Sequence, residues 1–496
     1  MSAYPELEAR FRRISVLRDG ARVLNWDQSV MMPPGGAAAR AEQIAALEVL
    51  LHELTTNPRM EELLDEAEAG RGGLDGWQDA NLAEMRRRWR HANAVPADLV
   101  EAYSKACSAS EKVWRKARPE NDFAGMLPHL REVLRLTREV GAAKGAAFDC
   151  SAYEGLADLY EPDLRVAEID PVFDDYAAFL PDFLDDVLAR QAMATAPHPP
   201  EGPFPIAIQR ELCRRMAEAV GIDFEAARLD ETLHPFSGGV PEDSRITTRY
   251  EEDDFVQGMM GVLHESGHAM YEIGRPADWR YQPVGRARGM ILHESQSLIV
   301  EMQVCRSPEF LGWAAPVIAE AFAKEGPAFE AENLYRLATR VERSLIRVDA
   351  DEVTYPAHVI LRYRLELAMI GDELDPAELP AAWNDGLEAL LGIRPPDDRL
   401  GCLQDIHWYD GAWGYFPTYT LGAMAAAQLF QAASTADPEI VPGIAAGDFG
   451  PLMAWLRPNV HSLGCRYSTA QVLEAATGRP LDPGAFKAHL QERYLG

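Results

Sequence analysis

Apolar residues recur at every third or fourth position through much of this sequence, and that spacing constrains the fold more than any other feature. The run AAARAEQIAALEVLLHELTT places Ile44, Leu47, Leu50, Leu51 and Leu54 on one stripe of a helix. The run MLPHLREVLRLTREVGAAKG repeats the pattern and is expected to stop at glycine. Alternation with a period of two is rare, so the sequence predicts a mainly α protein.

Clusters of proline and glycine indicate where the helices are interrupted. PPGG at 33–36 predicts a break between the first two helices. TAPHPPEGPFPIA at 195–207 predicts a linker or a long surface loop, and GIRPPDDRLG at 392–401 predicts a second break. SRITTRYEEDD at 244–254 is the best strand candidate, so we expect a small β element there.

The charge balance and the cysteines restrict the partners and the compartment. The chain has 48 basic and 78 acidic residues and a formal net charge of −30, which disfavours nucleic acids and anionic membranes as partners. No window approaches ~18 uninterrupted apolar residues, so no membrane span is expected. The opening MSAYPELEARFRRISVLRDG lacks the apolar core of a secretory signal, and the six cysteines form no CxxC pair. We therefore expect reduced thiols in a cytoplasmic protein.

The stretch GVLHESGHAMYEIG at 261–274 contains a candidate metal site. Residues four apart lie on one face of a helix, about 6 Å apart along its axis, so His264 and His268 can both reach one Zn²⁺. Glu265 lies beside that face, where it can act as general base on a metal-activated water and then as general acid. Zn²⁺ is the expected ion, and Co²⁺ or Mn²⁺ can substitute.

Two alternatives to a catalytic site remain open at this stage. The two histidines can be ordinary residues on a buried helix, or they can hold a structural metal that ties two helices together. The adjacent Glu265 disfavours the structural site, because such a site fills its fourth position with protein and has no use for a base.

The motif supplies two ligands, so a third must come from elsewhere. Glu272 is two turns from the first histidine, about 12 Å along the axis, which is too far to close the site. Asp278 follows a loop and is not excluded. GMILHESQSLIVEMQVC predicts a second helix that buries His293 and Glu294 among apolar residues, which is unfavourable unless they are paired or bound. The 25 residues between His268 and Glu294 are compatible with two packed helices joined by a loop. On geometry we favour Glu294, and the adjacent His293 is its competitor.

The sequence contains several further blocks besides this motif. Together with the motif, they resemble the carboxypeptidase Taq type of zinc metallocarboxypeptidases. In chain order they are LNWDQSVMMPPGGAAARAEQ at 24–43, HPF at 234–236, DSRIT at 243–247, HESGH at 264–268, HESQ at 293–296, IRVDAD at 346–351 and GCLQDIHW at 401–408. The resemblance covers essentially the whole chain. It implies a large helical fold with a deep active-site cleft, one catalytic metal with Glu294 as third ligand, and commonly a homodimer.

The resemblance also implies the reaction, which is release of single C-terminal residues from peptides with broad preference and poor handling of proline. We expect 1–496 to form one peptidase unit. Its helical region 1–195 would form part of the cleft wall, and 208–496 would carry all metal and substrate motifs. A related alternative is an oligopeptidase that cleaves internally or releases dipeptides.

An enzyme of this class must recognise a free C-terminal carboxylate, and arginine is the natural bidentate partner. Arg347 in the IRVDAD block is the first choice and Arg245 in the DSRIT block the second. Asp349 and Asp351 are candidates to orient Arg347 or a metal-bound histidine.

The block LQDIHWYDGAWGYFPTYTLG contains candidate hydrogen-bond donors to the oxyanion or the substrate carboxylate. The expected donors are His407 and Tyr419, with Tyr415 as a rival of Tyr419. The expected positioning residues for His407 are Gln404 and Asp405, and His234 in the HPF block is an expected pocket residue.

Overall fold

The computed structural model describes residues 3–232 and 235–496 and confirms a mainly helical chain with one small sheet. The α-helices are α1 (Ala3–Val30), α2 (Ala37–Thr56), α3 (Pro58–Ala69), α4 (Gly76–Asn93), α5 (Ala97–Glu120), α6 (Phe123–Phe148), α7 (Ala152–Ala157), α8 (Val166–Met193), α9 (Ile206–Val220), α10 (Val256–Ile273), α11 (Met290–Leu298), α12 (Pro308–Phe322), α13 (Ala331–Ala338), α14 (Tyr355–Ile370), α15 (Leu379–Leu391), α16 (His407–Asp410), α17 (Pro417–Ala436), α18 (Ile440–Ala445), α19 (Gly450–Asn459), α20 (Thr469–Thr477) and α21 (Pro483–Leu495). The strands are β1 (Ala227–Glu231), β2 (Ser237–Val240) and β3 (Asp243–Thr248).

The chain divides into two compact units, and each unit combines three separated segments. Unit 1 consists of residues 1–92, 197–338 and 425–481. Unit 2 consists of residues 93–196, 339–424 and 482–496. The expected loop at 195–207 contains one of the crossings between the units. Among the described residues, no helix combines the length and the apolar composition that a membrane span requires.

The predicted breaks agree with the helix ends. α1 ends at Val30 and α2 begins at Ala37, so the proline–glycine cluster separates them as expected. The stripe predicted on α2 is its less exposed face, where Leu51 is fully buried against the core formed by α1, α3 and α4. That core fixes the position of α1, which packs on β2.

The expected stop of α6 at glycine is wrong, because the helix continues through Gly141 and Gly145 to Phe148. Both glycines instead permit close contact with the segment that follows the helix. A Cβ at Gly141 would lie 2.8 Å from the carbonyl oxygen of Ala152, and one at Gly145 would lie 2.7 Å from that of Cys150. These glycines are therefore explained by close packing against the helix and not by the end of the helix.

The sheet lies directly before α10, as the strand prediction at 244–254 indicated. Its order is β1-β3-β2, with β1 parallel and β2 antiparallel to the central β3. The Thr248 hydroxyl at the end of β3 donates a 2.9 Å hydrogen bond to the carbonyl oxygen of Gly258 in α10. This bond ties the end of the sheet to the helix that carries HESGH.

Two glycines let other elements approach α10 closely. A Cβ at Gly267, between the two motif histidines, would lie 2.4 Å from the carbonyl oxygen of Gln296 in α11. A Cβ at Gly274, just past the end of the helix, would lie 2.6 Å from His461 Nδ1. The absence of a side chain at Gly267 is therefore what allows α10 and α11 to pack backbone to backbone.

We expect Gly267→Ala to destabilise the protein by about 1–3 kcal/mol, because the added methyl group meets rigid backbone in α11. Gly312→Ala in α12 is the matched control. It adds the same methyl group at an exposed helical position with no atom within 4 Å, and should stabilise by about 0.5–1 kcal/mol. Urea unfolding of both variants measures the difference. Equal stabilities would contradict the close-packing explanation.

Candidate active site

Three side chains of unit 1 converge where α10 packs on α11. Ligand atoms of His264, His268 and Glu294 lie within 4.8 Å of one another. The Glu294 carboxylate is 3.5 Å from His268 Nε2, and the two imidazole rings are nearly perpendicular with centroids 4.9 Å apart. Two imidazoles and one carboxylate are a donor set that suits Zn²⁺ with an open fourth position.

The Nδ1 atom of each histidine lies at hydrogen-bond distance from an oxygen atom of the protein. His264 Nδ1 is 2.9 Å from a Glu301 oxygen, and the other Glu301 oxygen accepts a 2.8 Å hydrogen bond from Arg306. His268 Nδ1 is 3.0 Å from the carbonyl oxygen of His293. Metal-binding histidines in proteins almost always use their second nitrogen in this way. This arrangement leaves Nε2 of each ring for a common ion.

The rival ligands are placed differently. His293 Nδ1 lies 2.8 Å from His268 Nδ1, on the side of the ring away from Glu294, and its Nε2 is 3.3 Å from Glu272. Glu272 is also 3.2 Å from Arg275. Among the described residues, neither His293 nor Asp278 belongs to the group of converging ligand atoms. The structure therefore brings together the trio that the sequence favoured.

The electrostatics of this trio favour a bound cation. Burial lowers the pKa of His264, but the hydrogen bond with Glu301 and the charges of Glu294 and Glu301 outweigh it and raise that pKa to about 10. Burial raises the pKa of Glu301, yet His264 and Arg306 bring it down to about 2. Carboxylates that remain charged in a buried place need positive charge beside them, which a divalent ion supplies.

Glu265 lies on α10 next to the first histidine and is 8% exposed. No hydrogen bond from another described residue reaches its carboxylate. Its charge adds to the field that raises the pKa of His264, so it is close to the trio. A buried carboxylate without a fixed partner is able to take a proton from a water molecule beside it.

Glu301 is a residue that the sequence reasoning missed. It belongs to a π-helical turn, Ile299–Val304, that continues α11. A signal was present, because Glu301 is the acidic residue within the apolar run LIVEMQV and its burial requires a partner. Glu301 lies seven residues after Glu294, about two turns further along the same helical segment.

Unit 2 contains the expected arginine within a buried ion cluster. Asp405 accepts hydrogen bonds from Arg347 Nε at 3.0 Å and Nη2 at 2.9 Å, and from Arg362 Nε at 2.8 Å. Gln404 Oε1 accepts from the backbone N–H of Arg347 and from Arg362, both at 2.9 Å. Two guanidinium groups thus share one carboxylate, which leaves an uncompensated positive charge.

The pKa values in this cluster follow from that charge. Burial raises the pKa of Asp405, but Arg362 and Arg347 hold it well below its usual range. Burial, followed by the charges of the two arginines, lowers the pKa of His407 to about 4 despite the opposing charge of Asp405. His407 is therefore neutral at pH 7, with Nδ1 4.0 Å from Asp405, and its ring packs on Phe416. A hydrogen bond between His407 and Gln404 is not formed.

Aromatic rings surround Arg347. Its Nη1 donates a 2.8 Å hydrogen bond to the Tyr355 hydroxyl, and its Cζ lies 5.4 Å from the centre of the Tyr419 ring. Tyr415 packs edge-on against Tyr419, with ring centres 4.9 Å apart. Both rival tyrosines thus belong to one aromatic group, with Tyr419 adjacent to the arginine.

The other site candidates have structural contacts of their own. Asp351 accepts backbone N–H groups of 342, 353 and 354, and so caps the turn before α14 without contacting Arg347. Arg245 on β3 forms a two-point ion pair with Asp243 at 3.0 and 2.7 Å, and its Cζ lies 4.2 Å from the centre of the Trp26 ring. His234 lies outside the described residues.

Comparisons with known proteins agree along the chain. A family model described as carboxypeptidase Taq (M32) metallopeptidase matches residues 6–494. Thermostable carboxypeptidase 1 of Thermus thermophilus is 39% identical over 99% of this chain and 98% of that protein. Carboxypeptidase 1 of Bacillus subtilis is 32% identical over 97% and 96%.

Solved structures give the same result. Trypanosoma cruzi metallocarboxypeptidase 1 matches with a TM-score of 0.98 at 39% identity, over 100% of this chain and 99% of that one. The M32 carboxypeptidase from Deinococcus radiodurans R1 matches with a TM-score of 0.94 at 33% identity, over 100% and 99%. Sequence and structure comparisons thus both span nearly the full chain.

Proposed function

This chain belongs to the carboxypeptidase Taq (M32) metallopeptidase family, and on that basis we propose that it is a zinc-dependent carboxypeptidase that releases single C-terminal residues. The observation that carries the proposal is the convergence of His264, His268 and Glu294 with Glu265 beside them. Membership of the family makes the chain a metallocarboxypeptidase; the ion, the residues and the mode of cleavage are the proposal.

The metal would be held by Nε2 of His264, Nε2 of His268 and the carboxylate of Glu294. When bound, a divalent ion supplies Lewis acidity that polarises the scissile carbonyl and lowers the pKa of water. Glu301 and the carbonyl of His293 would orient the two imidazoles through Nδ1. Zn²⁺ is the ion proposed from this donor set, with Co²⁺ or Mn²⁺ as substitutes.

Glu265 would act on protons in both halves of the reaction. Its carboxylate takes a proton from the attacking water, and then delivers that proton to the nitrogen of the departing amino acid. Burial among apolar residues of α10 keeps bulk water from competing for that proton.

Arg347 would bind the C-terminal carboxylate of the peptide. The support is the excess of one guanidinium charge in the cluster with Arg362 and Asp405, which an anion would neutralise. Tyr419 and neutral His407 would donate hydrogen bonds to the substrate. Arg245 is the weaker candidate, because Asp243 balances its charge in a one-to-one pair, whereas Arg347 shares Asp405 with Arg362.

The test is a peptide ladder digested with and without a chelator and read by mass spectrometry. We expect stepwise loss of single residues from the C-terminus, slowing at proline, and no digestion after chelation. The C-terminally amidated twin of each peptide should be cleaved at least about 100-fold more slowly, because a charge-assisted contact is lost. Equal cleavage of the two forms would favour the oligopeptidase alternative.

A pair of arginine variants assigns the anchor. We expect Arg347→Lys to raise KM for free peptides by about 10-fold or more, because lysine does not reproduce the two-point contact. Arg245→Lys is the matched control with the same change of group in unit 1. A larger effect from Arg245→Lys would move the anchor to the DSRIT block.

We also propose a cytoplasmic, homodimeric enzyme of broad specificity. All six cysteines are free, as expected for a reducing compartment. The dimer rests on the resemblance alone, and light scattering coupled to size-exclusion chromatography measures it directly.

A further inference from the structure

Unit 1 contains a cavity of ≈ 440 Å³ beside the converging ligand group. Its lining includes Arg22 and Trp26 of α1 and Gly238 of β2. Glu272 of α10 and His293 of α11 also line it. Since His293 Nδ1 is 2.8 Å from His268 Nδ1, the cavity borders residues that contact a proposed metal ligand.

Arg22 is the positively charged residue of the wall, and it has no ion pair among the described residues. It is exposed, and no described residue forms a hydrogen bond or an ion pair with its guanidinium. The other charged group of the lining, Glu272, is occupied, since it lies 3.3 Å from His293 and 3.2 Å from Arg275. The cavity therefore presents the Arg22 guanidinium, which has no ion pair among the described residues, beside the Glu272 carboxylate, whose charged form Arg22 helps to stabilise.

Further arginines lie near this wall, and those without an ion pair add to its positive charge. Four of them are ion-paired, namely Arg275, Arg280, Arg286 and Arg288, with Asp19, Glu84, Glu242 and Glu272 as their partners. Arg18 and Arg88, like Arg22, have no carboxylate at ion-pair distance among the described residues. Burial and then the charge of Arg22 lower the pKa of Arg286 to about 9, so these groups interact. Positive charge is concentrated here although the whole chain carries −30.

We propose that this cavity binds an acidic side chain of the peptide substrate, with Arg22 as the specificity-determining residue. The inference rests on the proposed carboxypeptidase function and adds a substrate class to it. A carboxylate matches the planar guanidinium through two parallel hydrogen bonds. The volume accommodates an aspartate or glutamate side chain with water, and the polar walls leave it partly solvated.

The space in front of Trp26 depends on Gly238. A Cβ at Gly238 would stand 3.5 Å from the Phe236 ring and 3.8 Å from Trp26, both ordinary contact distances. Gly238→Ala is therefore tolerated by the fold, and it narrows the cavity without changing any charge. It separates the effect of space from the effect of charge.

The experiment measures relative kcat/KM by competition for peptides that differ at one position as Glu, Gln or Lys, scanned over the last four positions. We expect glutamate to be preferred over glutamine by about tenfold at one position, and Arg22→Gln to bring that ratio to about one. Arg22→Glu should reverse the preference toward lysine. Arg13→Gln, which removes an exposed arginine of α1 outside the cavity lining, should leave the ratio unchanged.

A second measurement does not depend on turnover. Binding of the fluorescein-labelled glutamate peptide is measured in the Glu265→Gln background with and without Arg22→Gln, and with Gly238→Ala. We expect about tenfold weaker binding without Arg22, and weaker binding with Gly238→Ala. A glutamate preference that is absent at every position, or that survives Arg22→Gln, overturns the inference. Failure to digest any free peptide would instead count against the carboxypeptidase function, while the binding measurement still tests Arg22.

Discussion

Replacing Glu265 with glutamine is expected to lower kcat by about 10²–10⁴-fold while the zinc content stays at the wild-type level. The amide has nearly the same shape as the carboxylate but takes up no proton from water. Because Glu265 is not one of the converging ligands, the metal group should remain intact. The measurements are steady-state kinetics and zinc per chain by mass spectrometry.

Glu272→Gln is the matched control, since it makes the same change on the same helix. Glu272 contacts His293 and Arg275 and no ligand of the trio, so we expect a loss much smaller than that of Glu265→Gln. Near-normal turnover in Glu265→Gln would show that Glu265 is not the general base.

Glu294→Ala is expected to remove tight metal binding altogether. Glu294 is 8% exposed and its carboxylate lies 3.5 Å from His268 Nε2, and alanine supplies no charged oxygen donor in its place. Loss of an outer partner typically weakens metal affinity by about 10–100-fold, and loss of a direct ligand should exceed that. Equilibrium dialysis against buffered zinc measures the affinity.

His293→Ala is the matched control for that variant, because the two residues are neighbours in HESQ. The contact from His293 to His268 that we consider essential comes from its backbone carbonyl, which the substitution retains. We expect near-stoichiometric zinc in His293→Ala. If Glu294→Ala retained stoichiometric zinc and His293→Ala lost it, His293 and not Glu294 would be the third ligand.

The local part of the active site was predictable from sequence, because helix periodicity is a short-range property. HESGH on a helix implies that His264 and His268 share a face, and α10 bears this out. The third member of the trio depends on how α11 crosses α10. The sequence favoured Glu294 with His293 as its competitor, and in the packing permitted by Gly267 it is Glu294 whose ligand atom lies near those of the two histidines.

Contacts between residues that are far apart in the sequence were harder to predict. Arg347, Gln404 and Asp405 were found through their sequence blocks, but Arg362 was missed although it binds Asp405 across 43 positions. Arg362 lies within the buried helix α14, and the helical periodicity of the sequence does not show which residue a buried arginine contacts. The predicted end of α6 was wrong for a related reason. A glycine that ends a helix and a glycine that allows close packing inside one cannot be distinguished in the sequence until the packing partner is known.

Anomalous X-ray diffraction at the zinc edge, from crystals grown with zinc, tests the proposed metal ligands directly. We expect one strong peak per chain at about 2.0–2.2 Å from Nε2 of His264, Nε2 of His268 and a carboxylate oxygen of Glu294. Glu265 should lie beside the open position without binding the ion. A zinc ion bound by His293 or Asp278, or one with four protein ligands, would overturn the proposed catalytic metal site.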